Sequence, residues 1–413
     1  MQVNLEMKYK NLAKTAINKK PTYGIDIDLH KYEDASELDG LNNLDLLPTE
    51  IKEAALLAGV DVTENNRAGT YMQINHSVIY QKIKESYENK LEIMSINEAL
   101  EKYPEMEKYW WQTVKVDQDK YTAYAELNPM HGYFIRVLPG MKIDKPIQSC
   151  LMIQENAKVQ NVHNIIILEE GSEAQIITGC AIPPKVKEGL HIGISEFFIK
   201  KNAKLTFTMI HNWAEDFHVR PRSGAILEEE ATFINNYILL KPVKSVQMFP
   251  SANLIGTNAR SQFNSLLYGK KDSYIDVGSK IILSGENTSG QAISRAIVDD
   301  SSTIYARGTL IGKNDTAKAH LDCRGILSSK NAIMYAIPEL IAEKATHAKL
   351  SHEAAIGPIG EEEIEYLMAR GLSKDEAVTL ITQGFMDTKI LGLPGMLENN
   401  IKEMIAKTKD DTM

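Results

Sequence analysis

Asp272-Ser273-Tyr274-Ile275-Asp276-Val277, Ser301-Ser302-Thr303-Ile304-Tyr305-Ala306 and Asn331-Ala332-Ile333-Met334-Tyr335-Ala336 repeat one phrase, a polar turn, a small residue and then an alternating strand. Alternation puts the apolar side chains of a strand on one face. A unit of this length cannot bury that face alone and has to stack on a copy of itself. The same phrase stands earlier, at 171–176, 202–207, 230–235 and 251–256, with starts roughly 20 to 30 residues apart, a spacing typical of solenoids. The reading is a mainly β chain whose core, residues 131–358, is a right-handed parallel β-helix. A β-sandwich or jelly roll also uses short strands, but its tight hairpins favour Asn-Gly or Asp-Gly, and 133–356 contains neither.

On either side of the core the texture is helical. Residues 1–130 read as a mostly helical N-terminal region, with apolar residues at helical spacing from Leu46 to about Trp111 and a Ser-x-x-Glu capping box at Ser95–Glu98. Residues 359–413 read as a C-terminal helical region. It has a helix from Glu361 stopped near Gly371, a second opened by the capping box Ser373–Glu376, and an amphipathic segment from Met396 to Ile405.

A net charge of −9 without long charged blocks argues against nucleic acid or an anionic membrane as the main partner. No run approaches the roughly 20 apolar residues that span a bilayer, and three widely spaced cysteines suit a reducing compartment. The expected location is cytoplasmic. Nothing matches a Walker loop, a His-Glu-x-x-His or a Cys-x-x-Cys, so any chemistry is assembled from distant residues, and the chain has no nucleotide-hydrolysis motif of its own.

Four residues are candidates. Cys180, between Gly179 and Ala181 and ahead of Pro183-Pro184, is either an accessible thiol at a strand end or a small core residue. Cys323, between Asp322 and Arg324 on a strand, is expected to face inward, with its charged neighbours outward. His352-Glu353 is either a pair of metal ligands, since iron accepts imidazole and carboxylate, or an exposed pair before a helix. Cys150 has no motif, and His163 and His211 read as structural.

Gly69–Gln73, Glu98–Pro104, Gly179-Cys180-Ala181-Ile182-Pro183, His211-Asn212-Trp213, Leu350–Ala354 and Ile359-Gly360-Glu361 together resemble the SufB/SufD scaffold proteins of iron-sulfur cluster assembly. The resemblance implies a β-helix between helical ends. It also implies a SufC-type ABC ATPase docked on the C-terminal helices, here Glu361 to Thr382, and pairing of two subunits through the β-helix ends. Cys180 matches the thiol implicated in accepting sulfur from a cysteine desulfurase or other donor, and the sulfur would travel through the β-helix interior. Cys323, His352 and Glu353 match candidate ligands of a transient cluster, later handed to recipient apo-proteins. Two departures stand out: Cys323 lies one residue from the SufB position, which reverses its face unless a bulge intervenes, and Ser351 is SufD-like. The chain thus resembles a short, SufB-like form serving as both partners of a homodimer. The alternative is a SufD-like structural subunit that binds the ATPase but no cluster, and a polysaccharide-cleaving β-helix stands third.

Overall fold

The computed structural model describes residues 2–129 and 131–386. The amphipathic segment expected over Met396–Ile405 lies outside the described residues. Strand accounts for 45% of the chain and helix for 18%, so the fold is mainly β, a parallel solenoid of about eight turns. The chain passes alternately through two sheets. One holds Lys158–Leu168, Glu188–Ile199, Asp216–Leu227, the broken pair Ser245–Met248 and Ser251–Leu254, then Tyr274–Leu283, Thr303–Gly312 and Ile333–Ala342. We call it sheet A. Sheet B holds Ile147–Met152, Glu173–Ala181, Lys204–Asn212, Thr232–Leu239, Arg260–Gly269, Ser289–Val298, Lys318–Leu327 and Lys349–Gly357.

Register sets the true period. Lys204, Thr232, Arg260, Ser289, Lys318 and Lys349 are successive partners in sheet B, so one turn takes 28 to 31 residues and contains two strands. The shorter steps in the sequence repeat have two causes: from 230 to 251 the phrase passes from sheet B to sheet A, and Ser251 opens the second half of the broken strand, so that it partners Lys280 and the step to 272 is short as well. The phrase itself is a corner. Asn202, Glu230, Asn258 and Asn287 adopt positive φ, as do Lys271 and Asp300 ahead of the sheet A strands. Asn tolerates this region best among residues with a Cβ. The small residue that soon follows, such as Ala203, Ala231, Ala259 or Ser302, turns inward and is fully buried. Between the sheets lies one continuous apolar core, from Ile147 and Ile176 through Phe207, Phe233 and Phe263 to Leu321 and Met334.

The two ends differ. At the start, Ser77–Ile83 and Leu91–Ser95 pair antiparallel with Gly69–Ile74 and Tyr133–Val137, closing both sheets. The strands at 69–74, 77–83 and 91–95 correct the expectation of a mostly helical stretch from Leu46 to Trp111. In the first of them coverage on both faces masks alternation: all six residues of Gly69–Ile74 are buried. The expected capping box at Ser95–Glu98 forms on the helix Ile96–Lys102. At the far end, Ile333–Ala342 and Lys349–Gly357 are edge strands among the described residues, and Ile333, Tyr335, Leu340, Ile341 and Ile356 are exposed there.

N-terminal segments pad the outer faces. The helices Gln2–Ala16 and Lys120–Leu127 pack over Leu190, Ile192 and Ile194 of sheet A, and Thr49–Leu57 packs over Cys150, Met152 and Ala181 of sheet B. Two buried ionic clasps hold this padding. Arg222, on sheet A, pairs with Asp119 at 2.8 Å, both 3% exposed. Glu196 accepts the backbone N–H groups of Trp111, Thr113 and Val114 and bonds His163 Nε2 at 2.9 Å. Past the solenoid, helices Glu361–Met368 and Lys374–Phe385 follow, the second with the expected capping box and with Gly371 at φ +99° between them. Phe385 and Met386 return to the outer face of sheet B, against Ile210, Ile238 and Tyr268. Among the described residues no helix is long and apolar enough to cross a membrane.

Candidate functional site

Cys180 closes the strand Glu173–Ala181 with its side chain in the solenoid core, and it is 0% exposed. An accessible thiol at a strand end is therefore not what the chain builds. Its small neighbour serves another purpose: a Cβ on Gly179 would come within 2.5 Å of the Ala58 carbonyl oxygen and 2.8 Å of Val60 Cγ2. Gly179 is small so that the N-terminal segment can lie on the outer face, while Cys180 points the other way. Burial pushes its thiol well above the ordinary cysteine range, because the thiolate loses solvation. Cys150 lies outside the solenoid core, beneath the helix Thr49–Leu57, and is pushed up to about 12 for the same reason.

Beside Cys180 the interior is polar. His211 is its register partner one turn on, and His211 Nδ1 bonds Tyr237 Oη at 3.0 Å, leaving Nε2 buried and unpartnered. His191 stands 6.2 Å from His211 between ring centroids, with Trp213 near both, tilted against His191 and edge-on to His211. Desolvation takes His191 down to about 3 and His211 well below its ordinary value, so both rings are neutral. Neither supplies a positive field to the thiol, and Arg220 and Arg222 are spent on the clasps of the outer face, Arg220 donating to the carbonyls of Ile25 and Ser245. Further along, Tyr237 and Cys323 both line an interior cavity of about 30 Å³, together with Ser294, whose Oγ has no hydrogen-bond partner. That volume holds about one water-sized group.

Cys323 faces inward, 6% exposed, as alternation predicts, and burial raises its thiol to about 11. Lys318–Leu327 pairs with Lys349–Gly357 in unbroken register, so no bulge alters its facing. His352 is the register partner of Leu321 and shares the inner face with Cys323; its Nε2 is buried without a hydrogen-bond partner. Glu353 partners Asp322 and turns outward. There Arg324 bonds both Glu353, at 3.1 Å, and Asp322, at 3.0 Å, and Arg295 completes the chain to Asp322 at 2.6 Å. The structure thus brings Cys323 and His352 to one face of the open end and puts Glu353 on the other. Among the described residues no three His, Cys, Asp or Glu side chains converge on one point within the chain.

Residues 151–385 match the family model described as "SUF system FeS cluster assembly, SufBD core domain". The chain belongs to the SufBD family of iron-sulfur cluster assembly proteins. An "Iron-sulfur cluster assembly SufBD family protein" of Methanothermobacter thermautotrophicus is 46% identical over 95% of this chain and 96% of its own length. One of the same description from Archaeoglobus fulgidus is 45% identical over 88% and 96%. The "Iron-sulfur cluster assembly protein SufB" of Bacillus subtilis is 27% identical over 86% of this chain and 78% of its own. The SufBD core match takes in Cys180, Cys323, His352, Glu353 and both C-terminal helices, and leaves out Cys150. Sequence reasoning missed the surroundings of Cys180: His211 was read as structural, yet it lies 31 residues, one turn, beyond the thiol.

Proposed function

We propose that the chain is a scaffold on which a transient iron-sulfur cluster is built at the open end of the solenoid, between two copies of the chain. The observation that carries this reading is the placing of an inward thiol, Cys323, and an inward, unpartnered imidazole nitrogen, His352 Nε2, on the last two strands of sheet B, at an end whose edges are open among the described residues. Thiolate and imidazole are both ligands that iron accepts, and two per chain make four across a pair. Glu353 joins only after leaving Arg324. Such a partial set suits a site that must give its cargo up to recipient apo-proteins. Exposed apolar residues at that end supply the contact surface for the second copy.

Cys180 is the proposed sulfur acceptor, from a cysteine desulfurase or another donor, with the interior run past His211, Tyr237 and the cavity at Cys323 as the route onward. A SufC-type ABC ATPase is the proposed partner of the helices Glu361–Met368 and Lys374–Phe385, where Tyr366, Met368 and Leu380 are exposed. A cytoplasmic site of action fits three unpaired thiols. One observation favours the SufD-like alternative: the Arg324–Glu353 pair already occupies a proposed ligand.

Anaerobic reconstitution with iron and sulfide, in the presence of the candidate ATPase, separates the two. The scaffold reading expects a coloured protein whose iron and sulfide content drops in Cys323→Ala and His352→Ala. ATPase binding with no cluster in any of the three proteins establishes the structural subunit instead.

A further inference from the structure

Turn-to-turn ion pairs are the habit of this solenoid: Lys200 with Glu228, Lys244 with Asp272 and Lys313 with Glu343 each join one turn to the next. One column on the outer face of sheet B breaks it. Arg260, Ser289, Lys318 and Lys349 are successive register partners at the entry to their strands, and the three cations are exposed. None is ion-paired with an acid among the described residues. Lys318 and Lys349 are direct partners, about 4.8 Å apart between strands, a like-charge contact that costs stability unless something anionic lies over it. The nearest acids on that face, Asp322 and Glu353, are held by Arg295 and Arg324.

This column is one wall of a groove of about 520 Å³, which also takes in Gln262, Gln291, His320 and Ser351. The groove is open and polar, unlike the enclosed apolar pockets that bury small molecules. It has no Phe, Tyr or Trp side chain on which a nucleobase could stack, and its one ring, His320, is tied to Ser351 at 2.8 Å. Three register steps from Arg260 to Lys349 span about 14 Å, and two steps, to Lys318, about 10 Å. An extended peptide repeats side chains on one face every roughly 7 Å, so carboxylates four residues apart reach about 14 Å, the span from Arg260 to Lys349. Gln291 offers both a donor and an acceptor, which suits a peptide backbone better than a phosphate.

We infer that this groove is a docking site for an acidic, extended peptide segment of a partner protein, laid across the turns of sheet B from Arg260 to Lys349. The site is independent of the proposed cluster ligands, which face inward or the next column. With so little apolar surface, binding is weak, fast and salt-dependent.

The test is fluorescence anisotropy of a fluorescein-labelled Glu-Ser-Glu-Ser-Glu-Ser-Glu peptide on the full chain at low and high salt. Lys318→Glu/Lys349→Glu should weaken binding by at least roughly tenfold, while Lys82→Glu/Lys187→Glu, with the same change in net charge away from the groove, should leave it within about twofold. Equal weakening by the two doubles, or no binding to the wild type, overturns the proposal. So does displacement of the peptide by tripolyphosphate or a single-stranded oligonucleotide at lower concentration than the unlabelled peptide, which would make the groove a phosphate site.

Discussion

Thiol reactivity tests the burial of the three cysteines directly. An unperturbed cysteine, with a pKa near 8.5, is about 24% thiolate at pH 8. At the value of about 11 to which burial raises Cys323, the fraction is about 0.1%, a loss of roughly 200-fold in the reactive form before access is counted. Cys150, at about 12, loses about another tenfold, and Cys180, pushed well above its ordinary value and 0% exposed, is the least reactive of the three. The assay uses three single-cysteine variants, each with the other two thiols replaced by Ser, and follows Ellman's reagent at pH 8 in native buffer and in denaturant. The expected order of native rates is Cys323, then Cys150, then Cys180. All three should be at least roughly tenfold below their denatured rates, since the greater nucleophilicity of a more basic thiolate offsets part of its smaller population. A native rate for Cys180 near its denatured rate would refute the placement of that thiol in the core. The result bears on function, because a thiol this protected accepts sulfur only when the solenoid opens near it or a donor brings a compensating charge.

Three further outcomes follow from the packing. Acidification should destabilise the chain, because His191 and His211 stay neutral when folded but bind protons below about pH 6.5 when unfolded. The stability they leave intact above that pH is lost as pH falls, by about 2 kcal/mol for each ring at pH 5, and urea titrations of His191→Gln should show a flatter pH profile. Asp119→Ala leaves Arg222 buried without its partner and removes the cap of the helix Lys120–Leu127. A loss of about 3–5 kcal/mol is expected in urea unfolding, with Asp119→Asn costing less because it keeps the cap; equal costs for the two would show that the cap contributes nothing, and no cost for Asp119→Asn would rule out the charge as a cause. Gly179→Ala should lower stability by about 1–3 kcal/mol and loosen the segment through Ala58 and Val60, read as faster hydrogen exchange there; unchanged exchange would count against that contact.

Much of this fold was legible because parallel stacking repeats its demands. Every turn needs a corner residue that tolerates positive φ and a small residue to follow it inward, and Asn202-Ala203, Asn258-Ala259 and Asp300-Ser301-Ser302 announce both. What hid the two-sheet winding is that the corners entering the two sheets look alike, so phrases from both merged into one uneven period. The N-terminal strands escaped notice because Gly69–Ile74 is covered on both faces and shows no alternation. For the site, alternation alone placed Cys323 inward between Asp322 and Arg324. The company of Cys180 depended on knowing a turn to be 28 to 31 residues, which would have set His211 beside it. The outward engagement of Glu353 was beyond local reading, since Arg295, one of the side chains responsible, lies on another strand two turns back.

Among the described residues, an antiparallel strand ends each sheet at the N-terminal side and parallel strands end them at the far side, so the proposed pairing would use one pole. A solenoid with two such poles would add copies head to tail without limit and grow into a fibre. With one, the proposed contact between two copies would be a twofold one that uses up the surface on both chains at once. Growth would then stop at two, so the same stacking that lengthens the core within a chain would not propagate between chains.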